Sequence, residues 1–143
     1  MQIKLIPGTG AEIDGKRLLL GCSRGEAEVL VGKPESEYGV CYYHSGSLVL
    51  DYGKDDTLCY IECRDGSNAE LYGVNVFRTD EDKLYEILAA ENGDDISDDE
   101  DGYSYRFNGI GVSIWRESLP DSENTDEYEH WDTVGVFAPG YYG

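Results

Sequence analysis

The sequence predicts an α+β protein in which short helices pack on antiparallel sheet. Two observations support this class: capping residues precede two amphipathic segments, and runs of alternating apolar and polar residues, separated by turn residues, follow each of them. A chain of 143 residues is long enough for one domain with a sizeable core. We therefore predict a single domain over residues 1–143, built from two units of about 1–71 and 72–143.

The first unit carries one predicted helix. Ser23 is a good N-cap, and Glu26 three residues later completes a capping box. The helix is predicted over Arg24–Val31, and Gly32 ends it. Strands are predicted where short apolar or alternating runs occur, at 1–6, 16–20, 39–44, 47–52 and 58–63. Ser45 and Gly46 predict a hairpin turn between the third and fourth of these runs.

The second unit repeats this order. Thr79 is the predicted N-cap of a helix over 81–91, and Asn108 and Gly109 predict a two-residue hairpin turn. Strands are predicted at 74–77, 103–107, 110–115 and 132–138. Both units follow the order of short run, helix, hairpin and further strand, so we interpret them as pseudo-repeats. Two coincidentally similar segments are the alternative.

The charge is strongly negative and unevenly distributed. Thirty acidic residues oppose 11 basic ones, for a net charge of −19. Such a surface repels nucleic acid and anionic membranes, so neither is an expected partner. Residues 72–143 carry −14 of this charge, and the segments 91–102 and 117–132 each hold seven acids and no base. These segments are either solvated loops that keep the protein soluble, or an electronegative surface that steers a basic partner.

The four cysteines are predicted to be free thiols. The N-terminal apolar run is too short for a secretory signal, so we expect a cytoplasmic, reducing location. Zinc ligation is the competing interpretation, but Cys41 and His44 lie three apart in a predicted strand and so face opposite ways. Cys59 and Cys63 share a face but lie about 13 Å apart, at ~3.3 Å per residue. With Cys22, they are expected to be small buried thiols.

No motif for catalysis or for a cofactor is present. Carboxylates are so abundant that spacing alone selects no acid–base pair, and the Gly-x-Ser-x-Gly elbow is absent. The segment 97–108 imitates the centre of a calcium loop, but Asn108 stands where a bidentate Glu is needed. We expect no enzyme activity, cofactor or metal. A hydrolase that uses unassigned carboxylates is one alternative.

Aromatic residues are the predicted contacts on the open side of the sheet. If the apolar residues of the strands face the helices, Tyr60 and Trp115 point to the open side, and Phe137 joins them if Val134 and Val136 point inward. Tyr and Trp ringed by acids are typical of a protein-binding surface. Cover by the acidic loops or by the C-terminal residues 140–143 is the competing interpretation.

One segment resembles a known repeat. The sequence from Gly21 to Leu30, closed by Gly32, Lys33 and Pro34 and followed by antiparallel strands, resembles the repeat of β-lactamase-inhibitor proteins and of small outer-membrane assembly lipoproteins. That resemblance implies tandem helix-plus-sheet units whose sheets form a concave surface that clasps a partner. The general character, a small and very acidic α+β chain, is similar to bacterial immunity proteins, which neutralise toxin domains.

We therefore predict a non-catalytic binding protein that inhibits a basic partner such as a toxin. A structural or ligand-binding module is the alternative from another class. The oligomeric state is left open. The predicted partner-binding residues are Tyr60, Trp115, Phe137, Asp94, Asp95, Asp98, Asp99, Glu100, Asp101, Glu127 and Glu129.

Overall fold

The computed structural model describes residues 1–117, 119 and 130–142. These residues contain two α-helices and thirteen β-strands, which confirms the α+β class. The helices are α1 (Arg24–Val31) and α2 (Glu81–Asn92). The strands are β1 (Gln2–Ile6), β2 (Gly10–Ile13), β3 (Lys16–Leu19), β4 (Ser36–Glu37), β5 (Cys41–Tyr43), β6 (Leu48–Tyr52), β7 (Leu58–Arg64), β8 (Asn68–Leu71), β9 (Val74–Asn75), β10 (Ile96–Asp98), β11 (Ser104–Phe107), β12 (Val112–Trp115) and β13 (Thr133–Phe137).

The strands of these residues form two sheets. The smaller sheet has the order β3-β2-β1-β8-β9, and the larger has the order β10-β11-β12-β13-β7-β6-β5-β4. Neighbouring strands are antiparallel with one exception, because β1 and β8 run parallel. The prediction of antiparallel sheet alone is therefore corrected for this pair. The long stretch of chain between the two strands supplies the crossover that a parallel pair requires.

The larger sheet takes four strands from each half of the chain. Strands β4 to β7 follow α1, strands β10 to β13 follow α2, and the two sets meet where β7 pairs antiparallel with β13. Each set is an antiparallel meander, so the same order of elements occurs twice. Whether the halves superpose as repeats of one unit stays a prediction.

The helix ends follow from local capping. The Ser23 hydroxyl accepts a hydrogen bond from the Glu26 amide at 3.1 Å, and α1 spans the predicted residues. The predicted cap of α2 was wrong: Asp80 caps this helix, because the Thr79 hydroxyl donates instead to the Asn75 carbonyl at 2.6 Å. Over the described residues, no helix is long and apolar enough to cross a membrane.

Both predicted hairpin turns are longer than two residues. Tyr43 pairs with Leu48 across a four-residue turn at 44–47, and Phe107 pairs with Val112 across 108–111. In the second turn, the Asn92 side-chain carbonyl accepts the Gly109 amide at 2.6 Å and the Ile110 amide at 3.1 Å. These bonds come from the end of α2 and hold the turn in its wider form, so the local Asn-Gly signal does not decide it.

Four strands lie where none was predicted. Strand β10 falls inside the acidic segment 91–102, which is therefore not simply a loop, strands β2 and β8 complete the smaller sheet, and the two-residue β4 forms one edge of the larger sheet. Side chains from both sheets and from α2 form one buried cluster, including Ile3, Ile61 and Leu84. The helix α2 thus lies on the core side of the larger sheet, where Tyr85 packs edge-on against Phe107 at 5.4 Å. The other side of the larger sheet faces away from the core, so its side chains can contact other segments of the chain or a partner.

Candidate protein-binding surface

The side of the larger sheet that faces away from α2 is the candidate site. In β7, Ile61 and Cys63 are buried in the core, so their neighbours Tyr60 and Glu62 point the other way. The registers of β11, β12 and β13 extend this pattern across the sheet. We call this side the outer face, defined by Tyr60, Glu62, Arg64, Arg106, Ser113, Trp115, Thr133 and Phe137.

Trp115 is the exposed aromatic residue at the end of β12. The residue is 39% exposed, and its backbone pairs with Ser104 on one side and Thr133 on the other. It borders an open cleft of about 480 Å³. The cleft is lined by Glu62, Arg64, Asp65, Trp115, Asp132 and Thr133. A half-exposed indole beside such a cleft has the amphipathic character of an interface anchor.

The carboxylates of this cleft are held in place by hydrogen bonds. Glu62 pairs with Arg64 at 2.8 Å, and Asp132 accepts the Glu117 amide at 2.7 Å. Asp65 accepts the Gly66 amide at 2.9 Å. Three carboxylates against one guanidinium leave the cleft negative, which suits a cationic group.

Tyr60 lies flat across the outer face instead of standing out from it. Its ring lies over Gly135, where an added Cβ would come within 2.5 Å of the Tyr60 hydroxyl. That hydroxyl donates to Glu62 at 3.2 Å and lies 3.2 Å from the Ser113 hydroxyl. The Tyr141 ring stacks on it at 5.0 Å, and the resulting burial raises the pKa of Tyr60 well above its usual value.

Phe137 is also covered. It is 6% exposed, and the Tyr142 ring packs edge-on against it at 4.9 Å. The C-terminal tyrosines therefore lie over two of the three aromatic residues predicted as contacts, while Trp115 stays accessible. Gly143, which belonged to the predicted C-terminal cover, lies outside the described residues.

The predicted acids of the segment 91–102 are all exposed: Asp94, Asp95, Asp98, Asp99, Glu100 and Asp101. Two of them hold the segment to the outer face. Asp99 forms a bidentate pair with Arg106, with distances of 2.5 and 3.0 Å, and Glu100 accepts the Ser104 hydroxyl at 3.3 Å. Glu100 also shares a small cleft of about 200 Å³ with Trp115. The structure thus brings Glu100 and Trp115 together.

The other acids of the segment are used differently. Asp98 accepts the Gly102 amide at 2.8 Å, and Asp95 accepts the Asn108 side-chain amide at 3.1 Å. These bonds shape the loop, whereas within the described ranges the side chains of Asp94 and Asp101 make no hydrogen bond or ion pair, and Asp94 contributes only its carbonyl, which accepts the Ile96 amide at 3.0 Å. Glu127 and Glu129, which were also predicted as contacts, lie outside those ranges.

The sequence did not indicate a second, larger cavity of about 730 Å³. It lies beside the turn after β7, and its lining includes Asp65, Ser67, Arg78 and His130. His130 Nδ1 lies 3.0 Å from the Trp131 carbonyl and Nε2 lies 3.4 Å from Asp65. The Ser67 hydroxyl donates to the Arg64 carbonyl at 2.8 Å. The Ser67 hydroxyl therefore does not donate to His130, as a serine nucleophile would do to the histidine that activates it.

The cysteines are free thiols: Cys41 and Cys63 are buried, and Cys22 and Cys59 are half-buried. Cys41 donates to Glu37 at 3.2 Å and accepts from Arg24 at 3.3 Å, so a local polar network holds it. Among residues 1–117, 119 and 130–142, no group of three or more His, Cys, Asp or Glu side chains is placed to hold a metal ion.

The comparisons with known proteins add no relative. No protein-family model, curated protein or solved structure matches this chain. The functional argument therefore depends on the chemistry of the outer face.

Proposed function

We propose that the chain is a non-catalytic binding protein that docks its outer face on a basic protein and inhibits it, as an immunity protein does with a toxin. The observation that carries the proposal is Trp115, an exposed indole bordered by the carboxylates of Glu62, Glu100 and Asp132. An aromatic anchor within a charged rim is the usual anatomy of a binding hot spot.

The charge balance supports a cationic partner. The side chains around Trp115 are mostly acidic, and the chain as a whole carries −19. Complementary charge speeds diffusional encounter and disfavours partners of like sign. We also propose a cytoplasmic location, because four free thiols are consistent with a reducing compartment.

We also propose that the two halves are repeats of one helix-plus-meander unit. The occurrence of a helix followed by four antiparallel strands in each half, joined at the β7–β13 pair, supports this. The outer face would then be built from both units across their shared seam. Superposing residues 24–64 on residues 81–137 tests the idea, and strands that fail to align in order would contradict it.

The natural candidate for the partner is the product of the neighbouring gene, since inhibitors and their targets are commonly encoded together. The test measures association and dissociation of that purified product with wild-type protein and with Trp115→Ala. Loss of a central anchor costs about 2 kcal/mol, so we expect the dissociation rate to rise by about 30-fold. Tyr38→Ala is the matched control, because Tyr38 is 80% exposed and follows β4 at the edge of the sheet.

Inhibition is measured in the same experiment. Co-expression of wild-type protein should protect cells from the neighbouring product, and Trp115→Ala should protect less, whereas Tyr38→Ala should protect fully. The proposal is contradicted if the neighbouring-gene product is not basic and does not bind. It is also contradicted if Trp115→Ala and Tyr38→Ala bind that product equally well.

The 730 Å³ cavity favours a second candidate function, a ligand-binding module. Its volume lies in the range of small-molecule sites, and its lining is polar, with Arg78 and His130 as the basic groups. Calorimetric titration with small carboxylates and phosphates, comparing wild type with Arg78→Ala, distinguishes this function from the first.

A further inference from the structure

The C-terminal residues 139–142 fold back over the outer face. Strand β13 ends at Phe137, and the Tyr141 amide then donates to the Ala138 carbonyl at 3.1 Å. Pro139 and Gly140 occupy the two central positions of this turn, and Gly140 has a φ of +82°. Pro followed by a glycine with positive φ is the signature of a type II turn. The turn reverses the chain and brings Tyr141 and Tyr142 onto the sheet from which they came.

Side chains hold this segment in place. Tyr141 stacks on Tyr60 with an interplanar angle of 6°, and its hydroxyl donates to Asp51 at 2.7 Å. The guanidinium of Arg106 lies 4.5 Å from the centre of the Tyr142 ring, whose edge meets Phe137. The main-chain hydrogen bond of this segment, from the Tyr141 amide to the Ala138 carbonyl, closes the turn itself and does not join residues 139–142 to a strand. The segment can therefore leave the sheet without breaking a β-ladder.

We propose that residues 139–142 form a displaceable strap over part of the partner-binding surface. This inference rests on the proposed function. Trp115 and its cleft remain accessible with the strap in place and make the first contact with the partner. Displacing the strap then uncovers Tyr60 and Phe137, which complete the interface.

The strap also indicates what kind of partner side chain replaces it. Tyr141 presents a flat group to Tyr60 and a hydrogen-bond donor to the Asp51 carboxylate. An arginine side chain of a basic partner offers both, because its planar guanidinium stacks on aromatic rings and pairs with carboxylates. Arginine is therefore the side chain that we assign to the position of Tyr141 in the complex.

The first experiment follows the strap itself. Protein labelled with 3-fluorotyrosine gives separate ¹⁹F signals for Tyr141 and Tyr142, assigned with single Phe substitutions. In free protein we expect the ¹⁹F chemical shifts of both residues to differ from those of an unfolded chain, because both rings lie on the sheet. Asp51→Asn should move the Tyr141 signal towards the unfolded value. Addition of the neighbouring-gene product should move both signals in the same direction. If the chemical shifts of Tyr141 and Tyr142 stay at their free-protein values in the complex, the proposal of a displaceable strap is wrong.

The second experiment measures affinity. Tyr141→Ala combined with Tyr142→Ala keeps the turn but removes the contacts, so the strap no longer competes with the partner. If the strap is open about one-tenth of the time, we expect affinity to rise about tenfold, since the apparent affinity scales with the competent fraction. Asp51→Asn also removes the carboxylate that we assign to the partner's arginine, so its affinity should stay below that of the double variant, and Tyr38→Ala should leave the affinity unchanged.

The outcomes separate the two proposals. Unchanged or weaker affinity of the double variant, together with binding that still depends on Trp115, overturns the strap and leaves the proposed function standing. Absence of binding by wild type and double variant alike overturns the proposed function, and the strap falls with it.

Discussion

The guanidinium of Arg116 lies 4.3 Å from the centre of the Trp131 ring, and one of its nitrogens pairs with the carboxylate of Glu81. The Trp131 indole in turn donates to the Glu81 carbonyl at 3.0 Å. These three buried residues join the end of β12, the approach to β13 and the first turn of α2. The contact between Arg116 and Trp131 therefore holds together the two residues that flank the segment 117–130.

We predict that Arg116→Met destabilises the protein by about 3–5 kcal/mol, because it removes the guanidinium that forms a buried ion pair with the Glu81 carboxylate. Urea unfolding measures the loss. Adding Glu81→Gln should restore part of the stability, since the double variant buries no charge at this pair. Arg64→Ala, which breaks the more exposed pair with Glu62, should cost at most about 1 kcal/mol. Equal losses at the two sites would show that burial is not the cause.

The acidic segment is predicted to act on the association rate. Asp94→Asn with Asp101→Asn removes two exposed charges without breaking a side-chain hydrogen bond or ion pair of the described residues, and Asn tolerates the positive φ of Asp101. We expect slower association with the neighbouring-gene product at low salt and little change in dissociation, because close contacts set the latter.

The control for this prediction removes the same charge elsewhere. Asp55 lies in the turn between β6 and β7, and Glu86 lies on α2, on the core side of the sheet. Asp55→Asn with Glu86→Gln should slow association less. The difference should shrink at physiological salt, where exposed charges are screened beyond about 8 Å. If the association rate changes neither with salt concentration nor with the charges of the segment 91–102, these acids do not steer the partner and serve solubility instead.

Gly135→Ala is predicted to destabilise the outer face by about 1–3 kcal/mol. The new Cβ would lie 2.5 Å from the Tyr60 hydroxyl, so the ring must leave its place over β13 and loses its stacking with Tyr141. Urea unfolding and the ¹⁹F signal of Tyr141 report the two effects. Gly25→Ala is the matched control: it lies inside α1, its Cβ has space, and we expect a gain of about 0.5–1 kcal/mol.

Stability is predicted to fall at alkaline pH. Burial raises the pKa of Tyr43 and of Cys63, each to about 12, above the values of an unfolded chain. Below about pH 8.5 both states keep these protons and stability is complete; as pH rises towards 12 the unfolded state releases them first and stability is lost. Urea unfolding from pH 7 to 11 measures the decline. Tyr43→Phe should make the decline smaller without removing it, because Cys63 still contributes, and a curve that is flat in wild type would contradict the assignment.

Helix α1 shows how much of this protein local sequence determines. Ser23, Glu26 and Gly32 predict both ends, and the capping bond from the Glu26 amide forms as expected. Such contacts span three or four residues, so their energies hardly depend on the rest of the chain. The cap of α2 is harder, because Thr79 and Asp80 are both good caps, and the bond from the Thr79 hydroxyl to the carbonyl of Asn75, the last residue of β9, decides between them.

The turn at 108–111 marks the limit of local reasoning. Asn-Gly is a strong hairpin signal, but the Gly109 and Ile110 amides donate hydrogen bonds to the side-chain carbonyl of Asn92. These bonds join residues 17 and 18 positions apart and widen the turn. The parallel pairing of β1 with β8 is also beyond a local reading, because partners 66 residues apart, such as Gln2 and Asn68, must first be brought together by the core.

The sequence by itself determined the α+β class, α1, the negative charge and the alternation that sends Tyr60, Trp115 and Phe137 to one side of a sheet. Only the tertiary structure decided which of these side chains is accessible. Tyr141 reaches Asp51 across 90 residues of chain and covers Tyr60, while nothing described covers Trp115 to the same extent. Alternation depends on the backbone of one strand, whereas cover depends on where a distant segment packs, and that is set by the contacts of the folded chain as a whole.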